Sequence, residues 1–194
     1  MTFPRTSRPH ADRRLIEGIG GLVLFGLTIP AANWMIGHVG TVCPPGNPCL
    51  VPVAPGLMAP SGVVMVGLAL VLRDLVQRRL GAGASLLAIA AGAAISAALA
   101  PPAIVVASTA AFLLSELADF AVYTPLQRRR FVTAVALSSL AGLVVDSAVF
   151  LWLAFGSLDF LLGQIVGKAW MVLLALPFAR WLRRRDERLG LAPA

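Results

Sequence analysis

Charged side chains are scarce in this sequence: Asp, Glu, Lys and Arg make up 13% of its 194 residues, whereas hydrophobic residues make up 58%. The mean hydropathy is +0.85. Soluble domains carry about 25% charged residues, so this composition indicates an integral membrane protein. No polar stretch is large enough to form a separate soluble domain.

The sequence also lacks the motifs of the common enzyme classes. It contains no His-Glu-x-x-His, no Gly-x-Ser-x-Gly and no phosphate-binding glycine loop. Asp119 and Asp146 lie within apolar runs, but neither has the Gly-x-Gly-Asp context expected of an intramembrane protease. We therefore predict a protein that is not an enzyme and that uses no cofactor or metal.

Six apolar runs approach the roughly 20 residues needed to cross a hydrocarbon core. The predicted spans are residues 15–36, 60–76, 84–100, 103–122, 131–155 and 159–180. Pro101 and Pro102 cannot continue a helix, so they predict a tight turn between the third and fourth spans. The predicted fold is an all-α membrane protein with six transmembrane helices, divided into a basic N-terminus (1–14), a six-helix transmembrane domain (15–182) and a basic tail (183–194).

Basic residues lie on one side of these six spans. They form clusters at residues 5–14, 73–79, 128–130 and 180–188, whereas the loops at the opposite side contain no Lys or Arg. Fifteen of the 16 basic residues follow this pattern, and the exception is Lys168, inside the sixth span. The positive-inside rule then predicts an N-in/C-in, multi-pass protein of the cell (inner) membrane. The same clustering argues against nucleic-acid binding despite the net charge of +7.

The only two cysteines, Cys43 and Cys49, lie in a proline-rich loop that this topology places outside the membrane. Because that compartment is oxidising, we predict a disulfide bond between them, with free thiols as the alternative. A metal site is disfavoured, since His38 is the only other candidate ligand nearby.

Two carboxylates lie inside the apolar run of residues 104–122. Glu116 and Asp119 are three residues apart, so they share one face of a helix, which Phe112 and Tyr123 extend with aromatic surface. An ionised side chain at mid-membrane costs about 2.5 kcal/mol or more. This face is therefore predicted to meet a protein interior or a water-filled path rather than lipid.

Asp146 and Lys168 are each eleven residues from Ser157, the tip of the hairpin that joins the last two spans. Antiparallel helices that meet at this tip place the two side chains at the same depth. Pairing offsets part of the cost of burying each charge. We therefore predict an Asp146–Lys168 ion pair.

These groups form a predicted polar track that starts near Asn33, at the outer end of the first span, and descends to Glu116 and Asp119. A ligand or ion path is the favoured interpretation, because three acids against one lysine leave more negative charge than a structural clamp needs. The clamp remains the alternative. Arg73 and Asp74 fall near the cytoplasmic interface, where Arg73 is predicted to extend to the headgroups and not to face its neighbour.

Several ordered motifs between Asn33 and Pro177 resemble the VUT family of queuosine-precursor transporters. They are Pro60-Ser61-Gly62 with Gly67, Arg73-Asp74 and Gly81; Ser115-Glu116-Leu117-Ala118-Asp119; Leu137-Ser138-Ser139 with Gly142, Asp146-Ser147 and Phe150; and Lys168 followed by Pro177. The resemblance implies a six-helix importer of 7-deazaguanine bases such as preQ0 or preQ1. It implies a substrate-binding set of Asn33, Arg73, Asp74, Glu116, Asp119, Asp146 and Lys168, to which we add Ser115 and Tyr123.

The chemistry of such a base suits these residues. A deazaguanine has an N1–H and an NH2 side by side, and this donor pair matches the two oxygens of a carboxylate such as Glu116. The predicted partners are thus a small planar base and the lipid bilayer, and a homo-oligomer remains open. The alternatives are a substrate-capture subunit that works with a separate energising complex, and a structural membrane protein that transports nothing.

Overall fold

The computed structural model describes residues 8–45, 48–100, 102 and 105–190, with side chains from Asp12 onward. The helices in this part are α1 (Arg8–His38), α2 (Val63–Leu80), α3 (Ala82–Leu99), α4 (Val105–Leu126), α5 (Phe131–Phe155) and α6 (Leu161–Leu189). All except α2 are long and apolar enough to cross a membrane, judged by length and composition. The protein is therefore a helical, multi-pass membrane protein, while its sixth crossing and its orientation stay predictions.

The predicted spans and the observed helices differ mainly at their ends. The fifth span coincides with α5, which ends where Gly156 adopts a left-handed conformation (φ of 66°) that glycine accommodates without a Cβ clash. In contrast, α6 continues to Leu189, so the predicted tail of residues 183–194 is helical over most of its length. Of the predicted tight turn, Pro102 lies in a turn and Pro101 lies outside the described residues.

α2 is the central helix, because it contacts each of the other five. Its charged residues are Arg73, Asp74, Arg78 and Arg79, which are all buried. At Gly67, a Cβ atom would lie 2.6 Å from the backbone oxygen of Lys168, so only glycine permits this approach of α2 to α6. Small residues at such crossings are typical of packed membrane helices. Because of these four charges, α2 is not apolar enough in composition to be counted as a membrane span, although neighbouring helices bury all four side chains.

A β-hairpin lies between α1 and α2, which the all-α prediction did not include. Strands β1 (Leu50–Ala54) and β2 (Leu57–Pro60) pair antiparallel around Gly56, whose φ is 73°. Residues 50–60 contain three prolines, and proline is disfavoured in sheets because it lacks a backbone donor. The sequence pattern therefore did not indicate strands here. Just before β1, Cys43 and Cys49 form a disulfide bond.

The hairpin and the residue that follows it are held against α6 and α1. Trp170 Nε1 on α6 donates a hydrogen bond to the oxygen of Val53 at 2.8 Å, and Ser61 Oγ donates to the oxygen of Met35 on α1 at 2.7 Å. We call this end of the bundle the hairpin end. At the opposite end, α1 begins and α2 and α6 finish, and we call it the termini end.

Candidate functional site

A cavity of about 100 Å3 lies in the half of the bundle nearer the hairpin end. A site of this kind needs roughly 10–15 Å3 for each water molecule, so the cavity has room for several waters or a small ring compound. All six helices contribute to its wall. The polar and aromatic residues of the wall are Thr28, Asn33, Ser96, Ser108, Phe112, Ser115, Glu116, Asp146, Phe150, Gln164 and Lys168.

Lys168 is the cation of this wall. Its Nζ donates to Asp146 Oδ2 at 2.5 Å, to Ser147 Oγ at 2.7 Å and to Gln164 Oε1 at 2.7 Å. An ammonium group has three N–H donors, so each of them has a partner. The structure thus contains the ion pair expected from matched depth, with the Lys168 side chain 1% and the Asp146 side chain 10% exposed.

Glu116 links the cavity to a second buried cluster. It lines the cavity beside Ser115, and its Oε2 lies 3.4 Å from Nε of Arg73. Nη2 of the same guanidinium contacts Asp74 Oδ1 at 2.9 Å and also pairs with Asp119. We call Arg73, Asp74, Glu116 and Asp119 the Arg73 cluster. It lies on the side of the cavity toward the termini end.

Two predictions about Arg73 were therefore wrong. Its side chain does not extend to the headgroups, because it is 0% exposed and surrounded by carboxylates from α2 and α4. It also contacts Asp74 directly, although adjacent residues on a helix point apart. The long side chain of arginine carries the guanidinium back to its neighbour, a reach that the direction of the Cβ atoms does not reveal. Glu116 consequently has a protein partner and is not left solely for a ligand.

Further polar and aromatic contacts hold the guanidinium in place. Arg73 Nη1 donates to Gln77 Oε1 at 2.8 Å, and Ser138 Oγ donates to Asp74 Oδ2 at 3.1 Å. The ring centroid of Tyr123 lies 5.4 Å from the guanidinium carbon, within the range of a cation–π contact. The cluster is therefore tied to α4 and α5 as well as to α2.

A third group of charges closes the termini end. Arg78 donates from Nε and Nη2 to Asp186 Oδ2, at 2.9 and 2.7 Å, while Arg79 Nη2 donates to Asp186 Oδ1 at 2.8 Å. Arg79 Nε lies 2.9 Å from Glu17 Oε2, and Arg185 also pairs with Glu17. The positive-inside pattern predicts Arg78 and Arg79 at a membrane edge. They do lie at that end of the bundle, but they are buried between α1, α2 and α6, because each has a carboxylate partner.

The structure divides the nine candidate substrate residues into two groups. Those that line the cavity are Asn33, Ser115, Glu116, Asp146 and Lys168. Those that lie outside its wall are Arg73, Asp74, Asp119 and Tyr123, of which the first three contact one another and Tyr123 packs against Arg73. The two groups meet at Glu116.

Gln164 and Ser96 also line the cavity and were missed in the sequence. Gln164 precedes Lys168 by four residues, a spacing that places both on one helix face, so this signal was present. Ser96 stands in an Ala- and Gly-rich helix that offered no such pattern. Among the residues that the structure describes, no three His, Cys, Asp or Glu side chains are grouped as a metal site requires.

Together, the fold and the cavity define a multi-pass helical membrane protein with a cavity whose mostly apolar wall carries several polar side chains. The family model described as "Putative vitamin uptake transporter" matches residues 98–182 of this chain. That part runs from the end of α3 into α6 and includes Glu116, Asp119, Asp146 and Lys168. The matched family is one of transporters and not of enzymes, and the match supports the resemblance to the VUT family.

The match covers fewer than half of the 194 residues, so α1, α2 and the hairpin lie outside it. No curated protein and no solved structure matches the chain. The comparisons therefore support uptake of a small molecule across a membrane, and the identity of that molecule rests on the chemistry of the cavity.

Proposed function

We propose that this protein imports 7-deazaguanine bases such as preQ0 or preQ1 across the cell (inner) membrane. The observation that carries the proposal is the cavity wall, which combines the carboxylate of Glu116, the amides of Asn33 and Gln164, and the rings of Phe112 and Phe150. Mostly apolar pockets with a few placed polar groups are typical of small-molecule sites. The family match to uptake transporters supports the same class of function.

Each part of the base has a proposed partner in the wall. Glu116 accepts hydrogen bonds from N1–H and the exocyclic NH2, a bidentate arrangement that adds geometric specificity. Gln164 donates to the carbonyl of the base, since its own oxygen already accepts from Lys168 and its two N–H donors lie on the other branch of the amide. Phe112 and Phe150 supply aromatic faces, and stacking on a base is worth about 1–3 kcal/mol in nucleic-acid systems.

The position of the cavity fits the proposed direction of transport. Asn33 and Ile36, at its hairpin end, are half-buried, whereas Glu116 and Lys168 are buried. The charges at the termini end close the opposite side. With the proposed N-in/C-in orientation, a base enters from the outside and reaches Glu116, and import then requires the termini end to open. Alternating access of this kind around a central site is typical of secondary transporters.

Binding is tested with purified protein by thermal unfolding in the presence of preQ0, preQ1, guanine and a panel of vitamins. A ligand that binds the folded state raises the unfolding midpoint, because at a hundredfold excess over Kd it adds about 2.7 kcal/mol to the free energy of unfolding. We expect preQ0 or preQ1 to raise it and the vitamins to leave it unchanged. A shift with a vitamin and none with either deazaguanine would reject the proposed substrate.

Glu116→Gln is the first decisive variant. It keeps the volume of the side chain but turns one acceptor into a donor that faces the donors of the base. We expect affinity to fall by roughly ten- to a hundredfold, since one bidentate base contact is worth about 1–3 kcal/mol. Glu187→Gln is the matched control, because Glu187 is exposed on α6 and pairs only with Arg183 among its described contacts. Unchanged affinity in a folded Glu116→Gln protein would place the anchor elsewhere, with Asp119 the next candidate.

The two alternatives predict different results. A substrate-capture subunit binds the base but does not move it when the chain is reconstituted alone into liposomes. A structural membrane protein shows no ligand-dependent shift, and Glu116→Gln or Asp146→Asn then alters stability only. Uptake of preQ0 by liposomes that contain this chain alone would exclude both.

A further inference from the structure

The charges of the Arg73 cluster do not balance. Three carboxylates, those of Asp74, Glu116 and Asp119, contact the single guanidinium of Arg73, and all four side chains are at most 2% exposed. If every acid is ionised, the cluster carries two negative charges in excess. Burying uncompensated charge away from water is costly, and ions in such places are normally paired or neutralised.

No other cation of the described chain offsets this excess. On α5 and α6, Asp146 and Lys168 neutralise each other. Beyond Tyr123 on α4, Arg78 is bound to Asp186. Helix α3 contains no titratable residue, and α1 contains none between Glu17 and His38.

One carboxylate of the cluster is incompletely paired. Asp119 Oδ1 faces Arg73, whereas Oδ2 is fully buried and forms no regular hydrogen bond among the described residues, although Ser138 and the carboxyl of Asp74 lie beside this carboxylate. The hydroxyl of Tyr123, beside the cluster, is also buried without a hydrogen-bond partner in the described part of the chain, although its ring lies against the guanidinium. A buried acceptor without a donor is unusual in folded proteins and points to something that the polypeptide does not supply.

We propose that the Arg73 cluster binds a proton on Asp119 Oδ2, and that this proton is the coupling ion for import. The site itself rests on the charges and contacts above, whereas its coupling role rests on the proposed function. A proton from the outside forms an O–H bond at Asp119 and removes one negative charge. On the cytoplasmic side that O–H bond breaks, and the proton passes to water.

Glu116 makes the coupling direct, because it belongs to both the cluster and the cavity wall. When Asp119 is protonated, Arg73 loses one competing carboxylate and its contact with Oε2 of Glu116 holds that carboxylate in place to accept the donors of the base. When Asp119 loses its proton, it competes for Arg73 again, and Glu116 loses the contact that positions it. Proton and base thus bind together and leave together, which is the definition of symport by linked binding.

The proton site is tested without any ligand. Infrared spectra of the full chain in lipid vesicles at neutral pH contain a carbonyl band for each protonated carboxylic acid. We expect one such band in the wild type, its loss in Asp119→Asn, and its retention in the control Asp159→Asn, which removes an exposed carboxylate. Asparagine resembles a protonated aspartate in shape and charge, so Asp119→Asn should fold. Absence of the band from the wild type, or its persistence in Asp119→Asn, would overturn the site.

Coupling is tested in liposomes that contain a trapped pH dye and are clamped at zero membrane potential. We expect uncharged preQ0 to acidify the lumen as it enters, and a pH gradient that is acid outside to raise its accumulation by about tenfold per unit of pH. In Asp119→Asn, accumulation of preQ0 should no longer depend on the pH gradient. Accumulation driven by a sodium gradient, or uptake without acidification, would overturn the coupling. If preQ0 neither binds nor moves, the proposed substrate fails, and the infrared result alone decides the proton site.

Discussion

The Asp146–Lys168 pair shows how one buried charge depends on another. Removing only Lys168 leaves Asp146 as an unpaired buried carboxylate, and breaking a buried pair in this way costs about 3–5 kcal/mol. We expect Lys168→Met to lower the unfolding midpoint in detergent strongly, and the double variant Lys168→Met/Asp146→Leu to recover much of the loss. Additive effects of the two single changes would contradict direct coupling.

Counting along the chain predicted this contact, but the same reasoning failed for Arg73. The tip at Ser157 fixes the relative depth of Asp146 and Lys168, so sequence distance becomes spatial distance. No such tip relates Arg73 to Asp119, because α2 and α4 are separated by a whole helix. The contact depends on how the helices pack against one another, which distance along the sequence does not reveal. The sequence analysis compared three acids with Lys168 alone. Arg73 is a second buried cation that contacts two of those acids, Glu116 and Asp119, so that comparison was incomplete.

At the scale of the elements, the least apolar helix is the one that organises the bundle. The carboxylates of α4 were evident in the sequence, and the positions of the six helices followed from the apolar runs, although most of their ends did not. The central position of α2 did not follow, since its four charges are typical of a membrane edge until their partners are known. The hairpin was equally hidden, because its strands are stabilised by contacts with Trp170 and Met35, which are distant in sequence.

The tight crossing of α2 and α6 gives a test at this scale. We expect Gly67→Ala to lower the unfolding midpoint, because the new Cβ would lie 2.6 Å from the backbone oxygen of Lys168 and would force the helices apart. Gly26→Ala is the control, because nothing lies within 4 Å of its Cβ position. That change should be neutral or stabilising, since glycine in a helix interior costs roughly 0.5–1 kcal/mol relative to alanine. Equal midpoints for the two variants would argue against the close approach.

Over the whole molecule, polar groups form three successive layers. The cavity lies toward the hairpin end, the Arg73 cluster follows, and the charges around Asp186 close the termini end. Glu116 joins the first two layers, and α2 contributes residues to all three. Under the proposed function, a change in how Arg73 is shared would be transmitted along α2 to the termini end and would link ligand binding to opening.

The orientation of these layers is the last prediction. In the N-in/C-in topology, the disulfide between Cys43 and Cys49 faces the outside, so an impermeant maleimide should label intact cells only after reduction. A second protein, with both cysteines changed to serine and with Arg183→Cys at the exposed termini end, should react in inside-out vesicles and not in cells. Equal labelling of the wild type before and after reduction would contradict the disulfide. Labelling of Arg183→Cys in intact cells would show the opposite topology, in which the cavity lies nearer the cytoplasmic side.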